Sequence, residues 1–481
     1  MAYREMPSTE NLSRPAGSGS VSLGVQRRIG KSVTASENVP FEQVARILLL
    51  HAPLMLIFYS WSMVATIHSI LVVLLGLNFI LNDKSPTRAA FVVGYLAGAE
   101  ILWRGASDAA LVSEYGKFAT IFLCALMIAK YRLMGRHILW PVLFLALLLP
   151  GVFIMPAFDR QALSYQLAGP VALCFVSMTF GALEFKKTDI QKLFLWTIAP
   201  VVSMGFFVLY NLFTQDVAFY SGGENEILTG GIGANQVASA LSLGATLAFF
   251  YIFLVGKDSR LRNLMIVLAL GLIVLSVLTF SRGGFWNALG AIAAGLYFLF
   301  RNRREMARTF GILIALGLLG YYVIFPFLEN LTGGAVTLRF SSFDTTGRDV
   351  LFRIDYDLFL KNPVLGVGVG QSPLYHVATF GYPKPTHTEY SRLLAEHGGF
   401  GVAIIAILAL VVISRIFSRR DPVSKGISVG LCVWTLLYFT HSATRMVAPS
   451  FTFGVAAAQF DLEEEENNEG DSPAHPNHRR R

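Results

Sequence analysis

From Phe41 almost to the C terminus, the chain is built of apolar runs near twenty residues long, separated by short polar breaks. As a helix, one such run crosses ~30 Å of hydrocarbon. No water reaches the backbone there, so each run has to satisfy its own N–H and C=O groups, which makes it α-helical. The runs are too continuous and too long for the alternating strands of an outer-membrane barrel. The composition, 54% hydrophobic and 15% charged, departs from the roughly one quarter charged of soluble domains. The fold class expected is an all-α polytopic integral membrane protein with about 12–14 transmembrane helices. The spans fall near 43–60, 63–81, 89–103, 115–130, 138–156, 164–184, 192–213, 235–255, 263–280, 284–300, 309–327, 398–416, 427–444 and a short 447–460.

Charge gives the orientation. One alternate set of breaks holds nineteen Lys and Arg, from Lys84 and Arg88 to Arg415, Arg419, Arg420 and Lys425; the other short breaks hold five, Arg104, Lys117, Arg160, Arg282 and Arg445. Cations are retained on the cytoplasmic side, so the first set faces the cytoplasm. The net charge of +8 is thus a topology signal, and nucleic acid is not an expected partner. Residues 1–40 are rich in Ser, Gly and Arg, without periodicity, and read as a disordered cytoplasmic tail. No apolar stretch precedes Phe41, so no cleavable signal is expected. Residues 41–328 and 398–460 read as transmembrane helices, and 461–481 as a second disordered tail. Between the two helical regions lies a polar segment, 329–397, which faces outward: the periplasm in a Gram-negative cell. Cys124, Cys174 and Cys432 lie in apolar runs with neither disulfide nor zinc spacing.

Polar chemistry gathers on the outward side. Glu100 is the main acid inside a span, whereas an ion-coupled carrier places several ionisable groups at mid-bilayer. Ser281-Arg282-Gly283-Gly284 sets a cation in a tight hairpin whose glycines let a ligand approach. Thr346-Gly347-Arg348 opens a stretch, Asp349–Lys361, in which Val350, Leu351, Ile354, Leu358 and Phe359 recur at helical spacing. That pattern fits an amphipathic helix on the membrane surface, with Arg353 on its polar side. Arg348 and Arg353 are candidate anion ligands because guanidinium is planar and permanently charged. Gly366, Gly368 and Gly370 lack a Walker pattern, which makes nucleotide binding a weak reading. His387, followed by Thr388-Glu389-Tyr390, is the candidate base, since imidazole titrates near neutral pH; His376 and His397 compete with it. Thr229-Gly230-Gly231-Ile232-Gly233-Ala234-Asn235 precedes a span, and Asn235 suits a helix cap.

In order along the chain these pieces resemble the O-antigen ligase/polymerase superfamily. The matching motifs are Gly231 to Asn235, Ser281–Gly283, Gly347-Arg348, Asn362-Pro363-x-x-Gly366-x-Gly368, and His387-Thr388-Glu389-Tyr390 with Leu393-Leu394-Ala395-Glu396-x-Gly398 and Gly401. The resemblance covers roughly residues 225 to 415. It implies a GT-C-type membrane glycosyltransferase of the bacterial inner membrane, without metal or other cofactor. Such an enzyme moves a glycan from undecaprenyl diphosphate to an acceptor hydroxyl in the periplasm, inverting the anomeric carbon. Carried over by position, Arg282 and Arg348 hold the diphosphate and His387 is the base, with Arg353, Tyr390 and Asn235 as further substrate contacts. The acceptor is a lipid-linked repeat unit (O-antigen or exopolysaccharide polymerase, the favoured reading), lipid A core (ligase), or a protein (O-oligosaccharyltransferase). Membrane lipids and a chain-length regulator are the other expected partners. Phe352 departs from the pattern, for family members often carry Trp after Gly-Arg. The competing class is a carrier or flippase for a lipid-linked sugar, which predicts a mid-membrane cationic cavity and an internal repeat.

Overall fold

The computed structural model describes residues 38–106, 114–156, 159–256, 258–299, 347–417 and 421–462 throughout, and 307–342 apart from 308, 309, 312, 313, 315 and 316. Of the expected tails, 1–40 and 461–481, residues 1–37 and 463–481 lie outside the described residues, while Val39 is buried and its N–H donates to Gln191 Oε1 (3.0 Å). The helices are α1 (Phe41–His51), α2 (Leu54–Ser60), α3 (Ser62–Asn82), α4 (Thr87–Arg104), α5 (Tyr115–Tyr131), α6 (Leu139–Phe153), α7 (Arg160–Phe180), α8 (Lys187–Thr214), α9 (Ala234–Tyr251), α10 (Ser259–Leu278) and α11 (Arg282–Leu299). They continue with α12 (Phe325–Thr332), α13 (Ala335–Ser341), α14 (Arg348–Lys361), α15 (Glu389–Ile416), α16 (Pro422–His441) and α17 (Ala448–Val455). The protein is an all-α polytopic membrane protein. Among the described residues nine helices are long and apolar enough to cross a bilayer, and each coincides with an expected span.

Within the first of these, Pro53, which has no N–H to continue the ladder, separates α1 from α2. The expected spans 89–103, 115–130 and 284–300 are the helices α4, α5 and α11. The 309–327 span lies partly outside the described residues. The short last span is only the eight-residue α17, buried along its whole length. Between α16 and α17 the chain is unwound over 442–447 and almost wholly buried. After α17 it enters a short strand, β2 (Gln459–Asp461), parallel to β1 (Glu184–Lys186) with Phe185 opposite Phe460. Asp461, the first residue of the expected tail, is therefore part of the fold. The core is carried by α4 and α9, buried on all sides, while α3 and α10 leave most of their surface to lipid.

The polar segment 329–397 is largely helical and packs down onto the bundle. α14 carries an exposed apolar stripe, Phe352, Tyr356 and Leu360, as a surface helix would. Its other face, Leu351, Asp355 and Leu358, is buried toward α15. Asp355, an acidic residue of this amphipathic stretch, is 0% exposed. α15 begins inside the segment, at Glu389, and breaks at Gly398 (φ 57°, ψ −131°), so the membrane span proper follows the break. The glycine-rich turn explains the break. Val367 N–H donates to Ala395 O (2.8 Å), Gly368 N–H to Glu396 O (3.2 Å) and Gly399 N–H to Val364 O (3.1 Å). A Cβ on Gly366 would lie 2.5 Å from His397 N, and one on Gly398 2.7 Å from Gly366 N. These glycines let two backbones touch.

Candidate functional site

A cleft of about 420 Å³ opens where α9, α14, α15 and the 442–447 segment converge on the loop after α8. Its cationic side is Arg339, Arg348 and Arg445, with His387 beside them. Glu224 and Glu226 supply carboxylates, and Asn235, Gln236 and Ser442 neutral polar groups.

Arg348 is the first residue of α14. Gly347, in the left-handed conformation at φ 78°, turns the chain into that helix. The guanidinium stands 3.5 Å from Glu224 with both side chains partly exposed. Its pKa is pulled below the ordinary value by burial, which Glu224 opposes and the nearby Arg282 and Arg445 reinforce. Glu224 is held by its neighbour Asn225, whose N–H donates to Thr279 O (2.9 Å) and whose Oδ1 accepts from Leu228 N (3.1 Å).

His387 sits one residue before the N-cap of α15, Thr388, whose hydroxyl accepts from Ser391 N (3.0 Å). A buried polar cluster fixes the approach to it. Asp355 Oδ1 accepts from His376 Nε2 (3.0 Å), and Oδ2 accepts from Ser391 Oγ (2.7 Å). His376 Nδ1 donates to Lys384 O (2.5 Å), while Ser372 bonds both Asp355 and Thr386. Burial works against the His376 cation, but Asp355 and the Lys384 carbonyl outweigh it and hold its pKa above the usual 6.5. His376 is thus a brace for the segment carrying His387. The His387 pKa is pushed down to about 4, first by burial and then by Arg445, Arg348, Lys384 and His376. Its ring is neutral at neutral pH.

Of the residues singled out in the sequence, Arg348, His387 and Asn235 line the cleft. Asn235 is not the helix cap. Gly233 holds that position (φ 103°), and the Asn235 side chain donates to His441 O (3.4 Å) and accepts from Ser281 Oγ (3.2 Å). Arg282 is at the margin rather than in the wall. It starts α11 one residue after Ser281, donates to the Ser342 carbonyl, and is close enough to Arg348 to depress its pKa. Two candidates are not brought to the cleft. Arg353 is exposed one turn further along α14. Tyr390 points into the bundle, donating to Leu436 O (3.0 Å) against Phe439. His397 is fully buried at the break in α15. Sequence reasoning missed Arg339, Arg445, Glu224 and Glu226. Arg445 carried the signal that flagged Arg282, a cation in a short break on the cation-poor side, whereas Arg339 lies in the polar segment itself. The glutamates lie in the 215–233 loop, which no periodicity marks. Among the described residues no group of three or more His, Cys, Asp or Glu gathers as a metal site would.

A bundle of apolar helices with a cation-lined cleft at one end defines the class. Residues 264–406 match the model of a protein family described as O-Antigen ligase, which supports the resemblance to the O-antigen ligase/polymerase superfamily. The matched segment runs from α10 into α15 and takes in Arg282, Arg348 and His387; Asn235 and Arg445 lie outside it. No curated protein matches the chain.

Proposed function

We propose that this chain is a glycosyltransferase of the bacterial inner membrane that moves a glycan from undecaprenyl diphosphate to an acceptor sugar hydroxyl in the periplasm, as an O-antigen or exopolysaccharide polymerase. The family match supports the coarser role, a membrane glycosyltransferase-like part in O-antigen processing. What supports transfer chemistry at this site is the placement of His387 in the same cleft as Arg348. In this reading the acceptor hydroxyl oxygen attacks the anomeric carbon while its proton passes to His387. The new C–O bond forms as the bond to the phosphate oxygen breaks on the opposite face, and the diphosphate leaves with the electron pair. Arg348, with Arg282 at the margin, stabilises that growing charge in a site fixed before reaction. An incoming diphosphate also offsets the cations that depress His387, so binding the donor strengthens the base.

Ligase activity toward lipid A core shares this donor chemistry, and the matched family's description favours it. A strain lacking the gene separates the two: single-repeat glycans indicate a polymerase, and long chains stranded on undecaprenyl diphosphate indicate a ligase. His387→Ala, Arg348→Ala and Arg282→Ala, returned to that strain, are each expected to abolish the product while the protein still inserts. Normal glycan ladders from all three would overturn the site.

A further inference from the structure

Arg445 enters the sequence only as one of five cations on the cation-poor side, and it lies outside the family match. The structure surrounds it with an unusual support. The unwound 442–447 segment has no helix to satisfy its backbone, and it is buried. Four charged side chains do so instead. Glu389 accepts from Thr444 N (3.0 Å) and Glu100 from Val447 N (2.5 Å). Lys117 donates to Thr444 O (3.3 Å), and Arg104 donates to the Arg445 carbonyl itself. Glu100, Lys117 and Glu389 are each at most 2% exposed. Ionised groups are rarely placed this deep unless they hold something in position.

What they hold is the backbone of Arg445. Of the other arginines in the cleft wall, Arg348 pairs with Glu224 (3.5 Å) and Arg339 donates to Phe280 O (3.0 Å). The Arg445 guanidinium has no carboxylate partner among the described residues. One nitrogen, Nη2, donates to Thr386 O (3.1 Å), beside His387, and the buried Nε has no hydrogen-bond partner. The side chain faces the cleft shared with Arg348 and His387. A half-buried cation with donors to spare, held rigidly beside the candidate base, is a site waiting for an anion.

We infer that Arg445 is a substrate-binding residue, contacting the diphosphate of the donor together with Arg348 and held in place by the charged cage of Glu100, Arg104, Lys117 and Glu389. This rests on the reading of the cleft as a diphosphate site. The test is binding of inorganic pyrophosphate and geranyl diphosphate to the purified full chain in nanodiscs, independent of any transfer reaction. Arg445→Gln is expected to weaken both about tenfold or more, the scale of a lost charge-assisted contact. Arg445→Lys is expected to recover part of the loss, because the charge remains without the planar fork. Arg88→Gln, at the far end of α4, is the control and leaves binding unchanged. Unchanged affinity in Arg445→Gln, with Arg348→Gln weakened, overturns the inference and keeps the site. Unchanged affinity in both overturns the diphosphate reading as well. If Arg445→Gln fails to fold, Arg445→Lys decides: affinity equal to that of the unmodified protein sinks the inference.

Discussion

At the scale of single residues, two histidines in one outward segment are driven in opposite directions. His376 has a buried carboxylate on one nitrogen and a carbonyl on the other, and its pKa is raised. His387 has burial and four cations around it, and its pKa falls to about 4. Linkage gives each a distinct sign. The contribution of His376 is fully present below the unfolded value of 6.5 and is lost as pH rises through its folded value. His387 acts the other way: it withholds stability as pH falls from 6.5 toward about 4, because the unfolded chain takes up the proton first. Titration of ring-labelled histidines in the purified protein is expected to place His387 near 4, and pyrophosphate is expected to raise that midpoint. A His387 midpoint near 6.5 in the empty protein would contradict the cleft described above. Neither direction was legible in the sequence, because both depend on Asp355, Arg348 and Arg445 arriving from distant elements.

At the scale of elements, the break in α15 separates its outward turns from the membrane span proper. It is made by a pair of backbones in contact, so it is expected to be sensitive to a single methyl group. Gly366→Ala and Gly398→Ala each add a Cβ within 2.7 Å of backbone at positive φ, a strain of roughly 1–3 kcal/mol before any clash. Gly399→Ala meets nothing closer than 3.4 Å and serves as the control. Thermal unfolding in detergent is expected to fall for the first two and hold for the third; equal melting of all three would remove the glycines' role. The sequence announced these glycines by their spacing but suggested a ligand loop, since a cradle and a backbone contact need the same absence of Cβ. It announced α14 by its apolar period. It could not show that Asp355 lies on the buried face, because a carboxylate reads as solvated until its partners Ser372, His376 and Ser391 are in place.

At the scale of the whole molecule, hydropathy made the fold class legible, because hydrocarbon leaves a chain of long apolar runs no alternative to helices. Loop charge gives an expected orientation that the three native cysteines put within reach of experiment: Cys124, Cys174 and Cys432 are all buried, so the background for thiol labelling is low. Gly223→Cys stands in the cleft and Lys192→Cys in a second hollow beside Arg88 and Trp196. A membrane-impermeant maleimide on intact spheroplasts is expected to label the first and spare the second; the opposite result would turn the protein over in the membrane. The cage around 442–447 bears on how such a molecule is made. Glu100, Arg104 and Lys117 enter the membrane early in synthesis, and the backbone groups they bind arrive more than 300 residues later. Until then these charges must stay hydrated or neutralise one another through Glu114. The cleft therefore lacks its Arg445 wall on a partly made chain, and a protein truncated before its last two helices would leave Glu100, Arg104 and Lys117 without the backbone groups they bind.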